Sequence, residues 1–282
     1  FEVGEVTRTD VAQAESRLSR AIADRIQAVG DLKSSRARYK NVVGNYPKEL
    51  QKALPLSKLP ANETESVAIA RVFNPNVLVA KHDLKSAKAK IKIVEGELYP
   101  TIDIEGELSR RDQATSKTSK KDQISLTARL SLPLYQGGGT RARIRAAKQS
   151  LSQKAIVLNG AIHTAIANAS QSWERLSTAR AQLRAFDSEV RAAEIALQGV
   201  RQEAGVGSRT VLDVLDAEQE LLDARVRLVR AERDVIVATF MVRQAVGSLT
   251  AEKLSLPVKL YNVNKHYDSV AKHWFLEHIK QN

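Results

Sequence analysis

The sequence predicts a mainly α-helical protein with one β-hairpin, in which long helices form antiparallel hairpins. The composition favours long helices, because only 5% of the 282 residues are aromatic and Gly and Pro number 13 and 7. Apolar residues recur at helical spacing over most of the chain, and they alternate at period two only between residues 101 and 134. An internal repeat adds a third constraint on the fold.

The repeat joins the two ends of the chain. Residues 3–44 recur 203 residues later as residues 206–247, and 13 of 42 aligned positions are identical. A duplication of this length predicts two quasi-equivalent parts of one symmetric object. The second repeat unit begins near Asn62. If both units share one layout, we expect roughly 140 residues of the first unit to precede Phe1.

The first 98 residues predict two helices and a connector. Residues 7–43 carry small and apolar side chains at helical spacing, and Gly44-Asn45-Tyr46-Pro47 ends that helix. Residues 48–60 contain two prolines and predict an irregular connector. Residues 62–98 predict a second helix, and Asn74-Pro75 predicts a kink within it.

The next segment predicts a β-hairpin. Apolar and polar residues alternate strictly over residues 101–108 and 124–134, and each run is about as long as a membrane-crossing β-strand. The polar stretch 110–121 predicts a surface loop. A hairpin brings Tyr99 and Tyr135 to one end, where a membrane-interface girdle would lie. An amphipathic hairpin in a soluble sandwich is the alternative.

In the membrane interpretation the two faces of the hairpin meet different solvents. The apolar set would face lipid: Ile102, Ile104, Leu108, Ile124, Leu126, Leu130 and Leu132. The polar set would face an aqueous lumen: Asp103, Glu105, Glu107 and Arg129.

The remaining chain predicts a long helical hairpin and a tail. After the glycines at 137–139, residues 140–203 form one uninterrupted helical pattern. A turn at Gly205-Val206-Gly207 leads into a second helix over residues 210–246, so that the two helices run antiparallel. The tail, residues 250–282, is less regular.

The sequence argues against most enzyme classes. Cysteine is absent, and the five histidines stand without partners at metal-ligand spacing. We therefore predict no enzyme, no metal and no cofactor. The formal charge of +12 suits a nucleic-acid binder, but basic residues alternate with acidic ones along the helices and favour solvated helix faces. No run reaches the roughly 18 apolar residues of a membrane-spanning helix.

Two carboxylates follow the second repeated turn. Asp213 and Asp216 are three residues apart and share a helix face. They also lie in the first turns of the helix, where the helix dipole favours carboxylates, so ordinary capping is one interpretation. If several copies surround an axis, the same residues would form a charged constriction that filters ions.

Three motifs carry a family resemblance. Residues 3–11 (VGEVTRTDV), 131–138 (SLPLYQGG) and 206–217 (VGSRTVLDVLDA) resemble the TolC family of outer-membrane efflux and secretion channels, and the resemblance covers essentially the whole chain. It implies a homotrimer whose 12-stranded barrel crosses the outer membrane and continues into a periplasmic tunnel, an α-barrel of helices. It also implies a periplasmic adaptor protein and, indirectly, an inner-membrane transporter as partners, without nucleic acid.

The resemblance assigns roles to particular residues. The adaptor-docking tips would comprise Val3, Gly4, Val206, Gly207 and Thr210. Asp213 and Asp216 would form the pore constriction, and Arg209 would hold the entrance closed with Thr9 and Asp10 as partners. The junction between strand and helix would comprise Pro133, Tyr135, Gly137 and Gly138. Ala204 replaces a Tyr that some members use as a latch, and two strands are present where the family has four.

The same resemblance divides the chain into segments. They are residues 1–46, the tunnel helix that ends the first repeat; 47–61, an equatorial connector; 62–98, a tunnel helix; 99–136, the outer-membrane hairpin; 137–249, a long tunnel hairpin with its periplasmic tip near 204–210; and 250–282, an equatorial tail. The tail resembles members that serve type I protein secretion. A passive export duct is thus predicted, with a soluble coiled-coil scaffold or a basic nucleic-acid-binding helical protein as alternatives.

Overall fold

The computed structural model describes residues 8–112 and 120–271 of the chain. Within these ranges the chain forms six helices and two strands, which confirms the predicted fold class. In chain order they are α1 (Arg8–Val43), α2 (Glu63–Phe73), α3 (Pro75–Gly96), β1 (Thr101–Asp112), β2 (Lys120–Ser131), α4 (Gly139–Gly205), α5 (Val211–Ala245) and α6 (Asn264–Val270).

The two copies of the repeat have matching helices. α1 begins at Arg8 and α5 begins at Val211, which are corresponding positions of the alignment. Gly44 follows α1 and Gly247 follows α5, and both adopt positive φ angles of 91° and 70°. Glycine is required at such a helix end because a side chain is disfavoured in the left-handed region. The sequence repeat is therefore also a repeat of backbone conformation.

The predicted helix over residues 62–98 is two helices. The chain breaks at Asn74, whose side-chain Oδ1 accepts a hydrogen bond of 3.0 Å from the backbone N–H of Asn76 and thereby caps α3. Pro75 occupies the first turn of α3, where its missing N–H costs nothing. The kink expected at Asn74-Pro75 is therefore a complete break.

The described residues divide into two compact units. The first contains residues 8–60 and 172–242. In it, α4 and α5 pack antiparallel through two apolar clusters, one built on Leu176 and Val242 and the other on Leu197 and Leu221. Alanines recur in both clusters and let the two helix backbones approach closely.

The connector after α1 lies on this helical pair. Leu59 packs against the first cluster, and the backbone N–H of Leu56 donates to Thr239 Oγ1 at 3.2 Å. Lys52 Nζ lies 3.1 Å from a carboxylate oxygen of Glu232. The proline-rich segment is thus an ordered strap within the first unit.

The second unit contains residues 61–171 and 243–271 of the described chain. Its small core joins Ala70, Ala169 and Ala245. The buried side chain of Asn74 donates from Nδ2 to the carbonyl of Ala245 at 2.9 Å. Gly247 lies so close to the α2–α3 break that an added Cβ would be 2.3 Å from the carbonyl oxygen of Phe73.

The hairpin also belongs to the second unit. β1 and β2 pair antiparallel from Thr101 opposite Ser131 to Asp112 opposite Lys120. The expectation of a loop over residues 110–121 was therefore wrong at both of its ends, where the ladder continues; residues 113–119 lie outside the described range. At the other end β2 stops at Ser131, before Pro133, so Leu132 is not part of the strand.

None of the described helices is both long and apolar enough to cross a membrane. This agrees with the sequence, in which no apolar run reaches that length.

Candidate functional site

The turn between α4 and α5 is fixed by backbone hydrogen bonds and one glycine. The N–H of Gly207 donates to Ala204 O at 3.0 Å, and the N–H of Ser208 donates to Glu203 O at 2.9 Å. Gly207 has a φ of 79°, and no atom lies within 4 Å of the position that a Cβ would occupy. Val206 beside it is 81% exposed. The turn is thus closed by backbone hydrogen bonds, and its outer surface is open.

Asp213 takes part in a reciprocal cap at the start of α5. Its carboxylate accepts hydrogen bonds of 2.8 Å from the backbone N–H and from the hydroxyl of Thr210, while its own N–H donates to Thr210 Oγ1 at 3.2 Å. These bonds, led by the backbone one, lower the pKa of the Asp213 carboxyl from its ordinary value of 3.8. Asp213 therefore helps to cap the N-terminus of α5, which is one of the two interpretations that the sequence offers for this residue.

Arginines pair with the other carboxylates around the turn. Arg209 Nε lies 2.9 Å from Glu203, and the pairing raises the pKa of the arginine. Arg201 reaches Glu218 across the helical pair at 2.5 Å. The predicted contact of Arg209 with a neighbouring tip through Thr9 or Asp10 remains a prediction.

Asp216 has a partner that the sequence analysis missed. Arg17 Nη1 of α1 lies 2.5 Å from Asp216 Oδ1, and this hydrogen bond lowers the pKa of the Asp216 carboxyl. The two residues are 199 positions apart in the chain. A signal from side-chain spacing on one helix could not have found this pair, because it depends on how α1 lies against α5 within the first unit.

The first tip is only partly described. Val3 and Gly4 lie outside the described residues. Thr9 and Asp10 lie in the first turn of α1, where Thr9 is exposed and Asp10 is half-buried. The matching starts of α1 and α5 make the first turn of α1 the counterpart of the first turn of α5.

The predicted junction between strand and helix is an ordered corner. Gly137 and Gly138 have φ angles of 57° and 81°, which carry the chain into α4. At its base, the buried hydroxyl of Thr140 hydrogen-bonds to the side chain of Gln136. Arg143 donates to that hydroxyl at 2.8 Å.

The corner also reaches the end of α3. Arg143 Nη2 lies 2.5 Å from the carboxylate of Glu97, so one guanidinium connects the entry and the exit of the hairpin. Tyr135 remains almost fully exposed, and Pro133 is half-buried. An exposed aromatic ring at this level is what the membrane-interface interpretation expects.

The strand register separates the hairpin into two chemically different faces. Ile102 opposite Leu130 and Leu108 opposite Ile124 lie on one face, whereas Asp103 opposite Arg129 lies on the other. The predicted sharing of faces is confirmed for the residues within the strands. Apolar side chains of the first face are open, with Ile124 83% exposed.

Histidines and acidic residues form no metal cluster within the part of the chain that the structure describes. His273 and His278 fall outside that part. The candidate sites on the described residues are therefore the open helical turn and the two-faced hairpin.

Acid should weaken the cap at Asp213. Because its folded-state pKa is lowered, its contribution to stability is present above pH 3.8 and is lost as the pH falls through the folded-state pKa. We predict that the amide of Thr210 loses protection from hydrogen exchange below about pH 4, after correction for intrinsic rates.

The control for this experiment is Asp213→Asn, which still accepts a hydrogen bond but does not titrate. Its Thr210 amide should show a protection that does not change over the same pH range. Equal pH dependence in both proteins would assign the transition to another group.

The described chain thus combines an open turn at the end of a long helical pair with a separate hairpin that has one apolar and one polar face. Comparison with known proteins identifies the family to which the chain belongs. The chain belongs to the outer membrane efflux protein family, whose model matches residues 67–248. This family consists of channel proteins, and the result favours a channel over the scaffold and nucleic-acid alternatives.

Curated relatives extend the match. The outer membrane efflux protein BepC of Brucella suis is 38% identical over 98% of this chain, which covers 60% of the relative. The protease secretion protein PrtF of Dickeya chrysanthemi is 26% identical over 89% of the chain, which covers 56% of that protein. The chain thus spans about 60% of the length of these relatives. Relatives named as outer-membrane proteins confirm the predicted location in the outer membrane.

Solved structures support the fold. The open state of the MtrE outer membrane channel of Neisseria gonorrhoeae superposes with a TM-score of 0.73 at 21% identity, over 88% of this chain and 58% of that one. A membrane protein from Pseudomonas aeruginosa gives a TM-score of 0.73 at 18% identity, over 87% and 59%.

Proposed function

We propose that the chain is a subunit of a homotrimeric channel that conducts exported material passively across the periplasm and the outer membrane. In this proposal a periplasmic adaptor protein docks on the helical turns and links the channel to an inner-membrane transporter. The channel itself catalyses no reaction and uses no cofactor. Membership in the outer membrane efflux protein family supports the channel in this proposal, and the trimer and the adaptor are consistent with that family.

One observation carries the proposal most directly: the apolar face of the hairpin is exposed. Within the described chain, β1 and β2 pair only with each other. A solvent-exposed row of Ile104, Leu126 and Leu130 would be an aggregation liability in water, but it is the expected surface of a strand that meets lipid. The opposite face, with Glu105 and Glu107, suits an aqueous lumen.

In this proposal each segment predicted from the sequence has a structural role. Residues 99–136 supply the membrane hairpin, and residues 1–46, 62–98 and 137–249 supply tunnel helices. Residues 47–61 and 250–282 form the equatorial region. The turn at 204–210 is the periplasmic tip on which the adaptor docks, and Asp213 and Asp216 narrow the entrance just beyond it.

The cargo belongs to one of two classes. BepC is named as an efflux protein and PrtF as a protease secretion protein. We propose that the chain serves efflux or type I protein secretion, and that the inner-membrane partner selects between them.

The membrane assignment predicts two classes of labelling on neighbouring residues. The chain has no cysteine, so Ile104→Cys and Glu105→Cys each introduce a unique thiol. In outer-membrane vesicles, an aqueous maleimide should modify Glu105→Cys and leave Ile104→Cys at least about tenfold slower, because lipid covers only the apolar face.

Denatured protein supplies the control, since both thiols should then react at similar rates. Both parent residues are exposed in the isolated chain, so burial within the subunit cannot mimic protection by lipid. Equal reaction of both sites in vesicles would refute the barrel assignment.

A further inference from the structure

Three arginine–carboxylate pairs surround the α4–α5 turn. Arg209 pairs with Glu203, Arg201 pairs with Glu218, and Arg17 pairs with Asp216. The first two join residues of the α4–α5 region itself, whereas Arg17 comes from α1. The partner that offsets the charge of Asp216 therefore comes from a helix of the other copy of the repeat.

The pairing changes the charge expected at the entrance. From the sequence, Asp213 and Asp216 together would place two negative charges per chain at the constriction. In the structure Asp216 is neutralised by a guanidinium at 2.5 Å, while the Asp213 carboxylate is held by the neutral Thr210. Arg17 thus offsets one of the two carboxylates of each chain, and Arg209 adds a weaker attraction at Asp213, so a trimer would present at most half the acidic charge predicted from the sequence.

The internal repeat does not predict the ion pair between Arg17 and Asp216. The repeat places Glu220 at the position that corresponds to Arg17, and Gln13 at the position that corresponds to Asp216. The ion pair therefore joins the two copies of the repeat, and its symmetric counterpart, Gln13 with Glu220, cannot be an ion pair. Arg17 is also the more covered partner, with 37% of its side chain exposed against 64% for Asp216.

We propose that Arg17 determines the charge selectivity of the channel entrance by neutralising Asp216. This inference rests on the constriction proposed above. A fixed charge near a narrow pore attracts counter-ions and repels co-ions, so cancelling half of the acidic charge lowers the preference for cations. In this proposal Asp216 lines the constriction, and Arg17 changes the ion selectivity by offsetting the negative charge of that carboxylate.

The test compares Arg17→Gln with Arg20→Gln. Both variants remove one positive charge from α1, but Arg20 pairs with Asp24 on its own helix at 4.0 Å, and its side chain is 82% exposed. In planar bilayers under a KCl gradient, Arg17→Gln should raise the ratio of cation to anion permeability by about threefold or more at low salt. Arg20→Gln should leave the ratio near the wild-type value.

A third variant, Arg17→Gln with Asp216→Asn, should return the ratio to about the wild-type value, since the unmasked charge is gone. A ratio that stays raised in this double variant would overturn the proposal. So would an equal increase in Arg17→Gln and Arg20→Gln, which would assign the effect to the overall charge of α1.

A chemical measurement separates this inference from the proposed channel function. Carbodiimide with an amine nucleophile modifies free carboxylates, and mass spectrometry reads the rate at each site. Asp216 should react several-fold faster in Arg17→Gln than in wild type, and no faster in Arg20→Gln. An unchanged rate in Arg17→Gln refutes the masking, whereas a raised rate in a protein that forms no channels refutes the channel and leaves the masking intact.

Discussion

Gly247→Ala is expected to destabilise the second unit by about 2–5 kcal/mol. Alanine at a φ of 70° costs roughly 1–2 kcal/mol of backbone strain. Its Cβ would in addition lie 2.3 Å from the carbonyl oxygen of Phe73 and 2.9 Å from Pro75 Cδ, and overpacking of this kind typically costs about 1–3 kcal/mol. The contact cannot relax easily, because the Phe73 oxygen belongs to the backbone.

The internal repeat supplies a matched control. Gly44 is the counterpart of Gly247 and has a φ of 91°, but no atom lies within 4 Å of the position of its Cβ. Gly44→Ala should therefore show the backbone cost alone, about 1–2 kcal/mol. Urea unfolding followed by circular dichroism at 222 nm measures both variants, and equal losses would show that the clash with Phe73 relaxes.

Much of the fold could be predicted from the sequence because local patterns determine it. The repeat and the helical period predicted α1 and α5 to within one or two residues at each end. The length of the hairpin could not be predicted in this way. Charged residues continue the ladder as Arg110 opposite Asp122 and Asp112 opposite Lys120, where both faces are polar and no alternation of hydrophobicity remains.

The candidate site shows the same division between local and distant contacts. Thr210 and Asp213, which form the cap, are only three residues apart, so the sequence alone could suggest capping as one interpretation of Asp213 beside a charged constriction. The pair of Arg17 with Asp216 joins two helices that are far apart in the chain. It therefore depends on their three-dimensional alignment, which side-chain spacing along one helix does not contain.

Gly207→Trp is expected to abolish export while the trimer still assembles. No atom lies within 4 Å of the position of a Cβ at Gly207, so Trp there would strain the backbone at its φ of 79° without a clash at its Cβ. An adaptor that docks closely on the backbone of the turn would meet the indole instead. Channel-deficient host cells that express each variant can report export as ethidium efflux or as secretion of a reporter protease. Native electrophoresis reports the trimer.

Two substitutions separate the bulk of the indole from its other effects. Gly207→Asn tolerates the left-handed backbone at a φ of 79° and adds little volume, so it should retain most export. Gly199→Trp adds the same indole inside α4, at a glycine whose Cβ position also has no neighbour within 4 Å, and it should export more than Gly207→Trp. Because Gly4 corresponds to Gly207 in the repeat, Gly4→Trp should match the loss. Normal export from Gly207→Trp would show that the adaptor docks elsewhere, since no close partner could accommodate the ring at that position.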